Sequence, residues 1–195
     1  MAADQDPFTV AVGALRTLKP RLEFHLEEAP APQRLAPDAI ALTADLSNAD
    51  DDELASGRFV LLHDPDGAQE WEGNFRVVVF ARAALESDLA GDPLLADVGW
   101  SWLVDALAGA EAKATQLGGT ITRTTGTSFG TMSDRPGDAS IEIRASWTPL
   151  PVEDAPAQMD RHAAAWLALL ELAAGVMPIP QEVTRVHAGR RRSRG

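Results

Sequence analysis

The chain has 195 residues, 45% hydrophobic and 24% charged, the composition of a folded globular protein rather than a disordered one. Its net charge is −12, it has no cysteine, and no apolar run approaches the roughly 20 residues of a membrane helix. Disulfides, thiolate catalysis, cysteine-bound zinc and a helical membrane span are thereby excluded. The acidic start MAADQDPFTV lacks the apolar core of an export signal, so the expected location is cytoplasmic.

Asp6-Pro7 offers an N-cap followed by proline at the first helical position, and Phe8, Val12, Leu15 and Leu18 recur at helical spacing up to Pro20. Leu22, Phe24 and Leu26 then alternate with polar residues as a half-buried strand. Residues 29–37 carry three prolines in nine positions, which predicts an extended strap lying across a surface. Ile40, Leu42, Ala44 and Leu46 alternate as a second strand. Asp50 with Glu53 predicts one capped helical turn closed by Gly57. Arg58 to His63 and Phe75 to Arg82 read as a hairpin around the turn Asp64-Pro65-Asp66-Gly67.

Asp92-Pro93 repeats the capping device and opens a long helix, with Leu95, Val98, Trp102 and Ala106 on its buried face and Gly118-Gly119 at its end. Thr120 to Phe129 and Ser140 to Trp147 read as two strands joined through Pro136 and Gly137. After Pro149, Pro151 and Pro156, a last helix from Gln158 to Ala174 turns Met159, Ala163, Trp166 and Leu170 inward. The order α-β-β-β-β-α-β-β-α predicts an α+β fold: a largely antiparallel sheet of five or six strands with helices on one face. One domain is expected over residues 1–178, followed by a basic tail over 179–195. That order resembles secretion-chaperone-type domains, which bind proteins through sheet or dimer surfaces.

Beyond Glu182 the tail contributes Arg185, Arg190, Arg191, Arg192 and Arg194 with no acid, leaving −17 for the rest of the chain. An acidic body repels nucleic acid and anionic membrane, so only the tail is suited to polyanions.

Gly126-Thr127-Ser128-Phe129-Gly130 matches the nucleophile-elbow pattern, but residues 131–138 offer no apolar helix face to build the elbow. His63, Asp64 and Asp66, with Glu70, Trp71 and Glu72, gather an imidazole and carboxylates at the hairpin tip, where turn formation alone already employs the aspartates. Histidine pairs at metal-ligand spacing and glycine-rich phosphate loops are missing, so no metal or cofactor is expected. Trp100 and Trp102 cannot share one helix face. Trp102 is expected in the core, leaving Trp100 as an exposed aromatic anchor. The acidic runs Asp50 to Glu53 and Asp64 to Glu72 would rim such an anchor if they converged.

The segments Ala31-Pro32-Gln33-Arg34-Leu35-Ala36-Pro37, Leu62-His63-Asp64-Pro65, Trp71-x-Gly73-x-Phe75-Arg76, Asp92-Pro93-Leu94-Leu95, Val98-Gly99-Trp100-Ser101-Trp102-Leu103, Ser128-Phe129-Gly130 and Glu142-Ile143-Arg144-Ala145-Ser146-Trp147 resemble domain of unknown function 3000, an actinobacterial family. The resemblance fits the use of 15 Arg against 2 Lys, and it implies no assigned activity or catalytic residue. The candidate site or interface residues are His63, Asp64, Asp66, Trp71, Trp100, Arg76, Ser128 and Arg144. The function expected is a non-catalytic protein-binding or adaptor domain with a protein partner or a second copy of itself. The alternatives are a small enzyme using His63 or Ser128, and an RNA-associated protein acting through the tail arginines.

Overall fold

Asp6 opens the first element as the sequence predicts. Its carboxylate accepts from the Thr9 backbone N–H at 3.0 Å and the Thr9 hydroxyl at 2.9 Å, with Pro7 just inside the helix. The computed structural model describes residues 6–135, 137–151 and 158–176. Helix α1 (Pro7–Leu15) is followed by strands β1 (Phe24–Ala29), β2 (Asp38–Ser47), β3 (Glu53–Ala68) and β4 (Gly73–Ala84). Then come a short helix α2 (Ser87–Ala90), the long helix α3 (Leu95–Gly109), β5 (Ala114–Thr125), a 3-10 turn at Gly130–Met132, β6 (Ala139–Pro149) and α4 (Met159–Ala173). The six strands form one antiparallel sheet in the order β1-β2-β3-β4-β6-β5. The basic tail expected from residue 179 lies outside the described residues.

The helices cover one face of this sheet, as expected for strands that alternate apolar and polar side chains. Phe59, Leu61, Val77, Val79, Ile141, Ile143 and Trp147 point toward them and are fully or nearly fully buried. Helix α4 brings Met159, Ala163, Trp166 and Leu170 against this layer, the face predicted from its periodicity. Trp166 fits under the sheet because Gly57 makes room for it. A β-carbon at Gly57 would stand 2.6 Å from the Phe80 carbonyl oxygen and 2.9 Å from the indole nitrogen. That nitrogen donates to the same Phe80 carbonyl at 3.2 Å.

Four local expectations are corrected. Residues 50–53 form no helical turn. The Asn48 side-chain oxygen accepts from the backbone N–H of Asp50 and of Asp52, both at 2.9 Å, and Asp51 takes φ 67°. This side-chain turn outcompetes the capping pattern, so the chain enters β3 at once and Gly57 sits inside the strand. Asp64 to Gly67 is likewise not the hairpin turn. It is a bulge inside β3, where the register to β4 shifts between His63 and Ala68. Asp64 accepts from the Asp66 N–H at 3.0 Å, and the reversal falls later, at residues 69–72.

Helix α3 ends at Gly109, well before Gly118. Glu111, at φ 53°, takes the left-handed position usually given to glycine, and the Ala112 N–H closes on the Leu107 carbonyl at 2.9 Å. Gly118 and Gly119 belong to β5. The buried stripe of α3 is Leu95, Gly99, Leu103, Ala106 and Leu107, while Val98 is 41% exposed. Trp100 and Trp102 flank that stripe on its two shoulders, and both are half-buried against the core. The expected contrast between a buried Trp102 and an exposed Trp100 does not arise.

Candidate functional site on the outer face of the sheet

Among the described residues the helices all sit on one side, and the other face of the sheet is covered only in part. The strap between β1 and β2 folds back over it, so that Ala29 and Ala36, with Trp71, pack on Ala41, Val60 and Leu62. Arg58 fastens the strap by donating to the Pro30 carbonyl at 2.5 Å. Cover ends there. Beyond Arg58 an open groove of about 520 Å³ runs over β4, β6 and β5, with Val78, Phe80, Arg144, Ser146, Gly118 and Thr120 among its lining residues.

The register of the sheet fixes how these side chains line up. Arg58 is paired with Phe80, Phe80 with Arg144, and Arg144 with Thr120, so the four form one row across four strands. The next row holds Val60, Val78, Ser146 and Gly118. Val78 is 38% exposed and Phe80 half-buried, an apolar floor left in contact with solvent. The Arg144 guanidinium lies 5.5 Å from the centre of the Phe80 ring and pairs with Glu142 at 3.0 Å.

Arg76, next along the same face of β4, has a different occupation. It donates to the Gln116 carbonyl and the Thr148 hydroxyl, both at 3.1 Å, and to the Ser146 hydroxyl at 2.7 Å. The Thr148 hydroxyl in turn donates to the Trp71 carbonyl at 2.5 Å. Arg76 thus ties β4, β6, the β5 bulge and the hairpin loop together through neutral acceptors. Its burial disfavours the charged form and lowers its pKa from the usual arginine value. Among the described residues, Arg58, Arg76 and Arg82 have no carboxylate within ion-pair distance. A cationic strip with an aromatic floor therefore stands on a protein of net charge −12.

Of the residues singled out from sequence, the structure brings Trp71, Arg76 and Arg144 onto this face. The others are elsewhere. His63 points to the helix side and is 3% exposed, its ring stacked on Phe8 at 5.7 Å and tilted against Phe75 at 4.5 Å. Its Nδ1 lies 3.0 Å from the Asp38 carboxylate. Asp64 and Asp66 shape the β3 bulge. Ser128 precedes an extended Phe129 and a three-residue 3-10 turn, so no strand-to-helix elbow is built there. Trp100 belongs to the helix layer. The two acidic runs lie at opposite ends of β3, roughly 35 Å apart along the strand. They form no common rim around Trp100.

Sequence reasoning missed Arg58, Val78 and Phe80. The usable signal was the alternation Arg76, Val78, Phe80, Arg82 against Val77, Val79, Ala81, but the unbroken apolar run Val77-Val78-Val79-Phe80 conceals which face is open.

The sequence model of the family described as "Protein of unknown function (DUF3000)" matches residues 4–184. Comparison with curated proteins and with solved structures returns no match.

Proposed function

The chain belongs to the DUF3000 family, and we propose that it is a non-catalytic protein-binding domain that holds an acidic partner polypeptide on the outer face of its sheet. One observation carries this reading. The face that, among the described residues, helices and strap leave uncovered presents an apolar floor, Val78 and Phe80, edged by arginines, on a molecule whose overall charge is strongly negative. A solvated antiparallel face ordinarily alternates to polar residues. Apolar centre, aromatic side chain and arginine are instead the composition of an interface core. The groups a catalytic reading would use support the binding reading by their placement: the His63 imidazole is packed on the opposite side of the sheet, between two phenylalanine rings.

The test is affinity purification of the tagged protein from its own host, wild type against Phe80→Ala. The reading expects a polypeptide retained in stoichiometric amount by the wild type and lost from a variant that folds normally. An identical set of co-purifying proteins would contradict it.

A further inference from the structure

We infer, resting on the reading of the outer face as a protein-binding surface, that the partner segment is extended and carries carboxylate, apolar and carboxylate side chains at alternate positions. It lies across β3, β4 and β6, with its two carboxylates on Arg58 and Arg144 and its apolar side chain on Phe80 and Val78.

The register sets the spacing. Arg58 and Arg144 flank Phe80 in one row, so their backbones are two strand-to-strand steps apart, about 9.5 Å. An extended chain rises about 3.3 Å per residue and turns alternate side chains to the same side, so positions 1, 3 and 5 span about 13 Å. The apolar residue at the centre covers Phe80, and each carboxylate falls a little outside its arginine, within reach of the flexible side chain.

Hydrogen-bonding capacity selects which arginines take part. A guanidinium has five N–H donors. Arg76 is engaged by three acceptors and partly buried, so it braces the sheet. Arg58 makes one bond, to Pro30, and Arg144, with its side chain 61% exposed, makes one, to Glu142. Both retain donors for a bidentate carboxylate.

Charge selects the class of occupant. The arginines beyond Glu182 are cationic and offer this row no counter-charge. Single-stranded nucleic acid also offers anions and a ring for Phe80, but its continuous charge must approach the acidic surface as well. A segment with two carboxylates is governed by the arginines beside it, since fields are screened within about 8 Å at physiological salt.

The test is titration of the full chain with fluorescent peptides of about ten residues. One carries Asp-x-Leu-x-Asp in a neutral background, the second has Asn for both Asp, and a single-stranded RNA oligomer is the third ligand. The inference expects saturable binding of the acidic peptide. Binding should weaken about tenfold or more for the Asn peptide and for Arg144→Glu, and be largely retained by Arg144→Lys. Circular dichroism melts establish that the variants fold, and Arg58→Gln provides a second, milder lesion.

Equal affinity for the Asp and Asn peptides overturns the inference, as does RNA binding that exceeds peptide binding and depends on Arg144. So does arginine-dependent self-association in place of peptide binding. If co-purification still depends on Phe80 while the peptides bind without charge preference, the binding surface stands and the acidic motif falls. If neither depends on Phe80 or Arg144, the surface falls too.

Discussion

Trp147 and His162 form a buried pair whose chemistry sets a pH dependence. The Trp147 indole donates to His162 Nδ1 at 3.0 Å, which requires that nitrogen unprotonated. His162 is 1% exposed, and burial lowers its pKa from 6.5 to about 4. The unfolded chain therefore takes up a proton that the fold refuses, and stability is lost as pH falls from 6.5 toward 4. The window corresponds to about 3 kcal/mol at its acid end. His162→Asn keeps an acceptor for the indole and removes the titration, so its stability should be flatter over that range in denaturant melts. Glu171 acts with the opposite sign: burial raises its carboxyl, opposed by Arg21 at 3.3 Å, so its contribution falls as pH rises. The difference between wild type and His162→Asn isolates the histidine.

The tryptophans separate in the same way by what they touch. Trp166 is fully buried and hydrogen-bonded, and Trp166→Ala should cost about 3–5 kcal/mol. Trp102 sits on the shoulder of α3, half-buried, and Trp102→Ala should cost about 1–2 kcal/mol. Equal losses in urea melts would show the shoulder placement to be wrong.

At the scale of elements, caps and periods carried most of the fold. Asp6-Pro7 started α1, alternation in β6 put Ile141, Ile143 and Trp147 inside, and the α4 stripe came out as predicted. Two of the misreadings turn on a glycine. The buried seam of α3 passes through Gly99, whose β-carbon position would lie 3.0 Å from Ile141, and a glycine adds nothing to an apolar period. Gly57 was likewise read as a terminator. Its role is close approach, visible only when Trp166 and Phe80 arrive from far along the chain. Gly57→Ala should therefore destabilise by about 1–3 kcal/mol, measured by thermal or urea denaturation. An unchanged midpoint would mean the strand spreads freely around the indole.

For the whole molecule, the one-sided arrangement of helices was legible from the order of elements, because hairpin-linked strands pair antiparallel and the two long helices fall between and after them. The candidate site was legible only in fragments. Trp71, Arg76 and Arg144 were named, but the row that joins Arg144 to Phe80 and Arg58 exists through strand pairing between residues far apart in the chain, Phe80 with Arg144 and Arg58 with Phe80, and local spacing does not encode it. The interface first suggested by Trp100 dissolves for the same reason, since its two acidic runs end at opposite ends of a long strand. If the outer sheet face is the binding surface, a partner must touch it in the cell. Site-specific photo-crosslinking in the native host tests it most directly, with the reactive side chain at Val78 in the groove or at Val98 on the solvent side of α3, positions of near-equal exposure. A discrete protein adduct is expected from position 78 and none from position 98, and an adduct from position 98 alone would rule the outer face out.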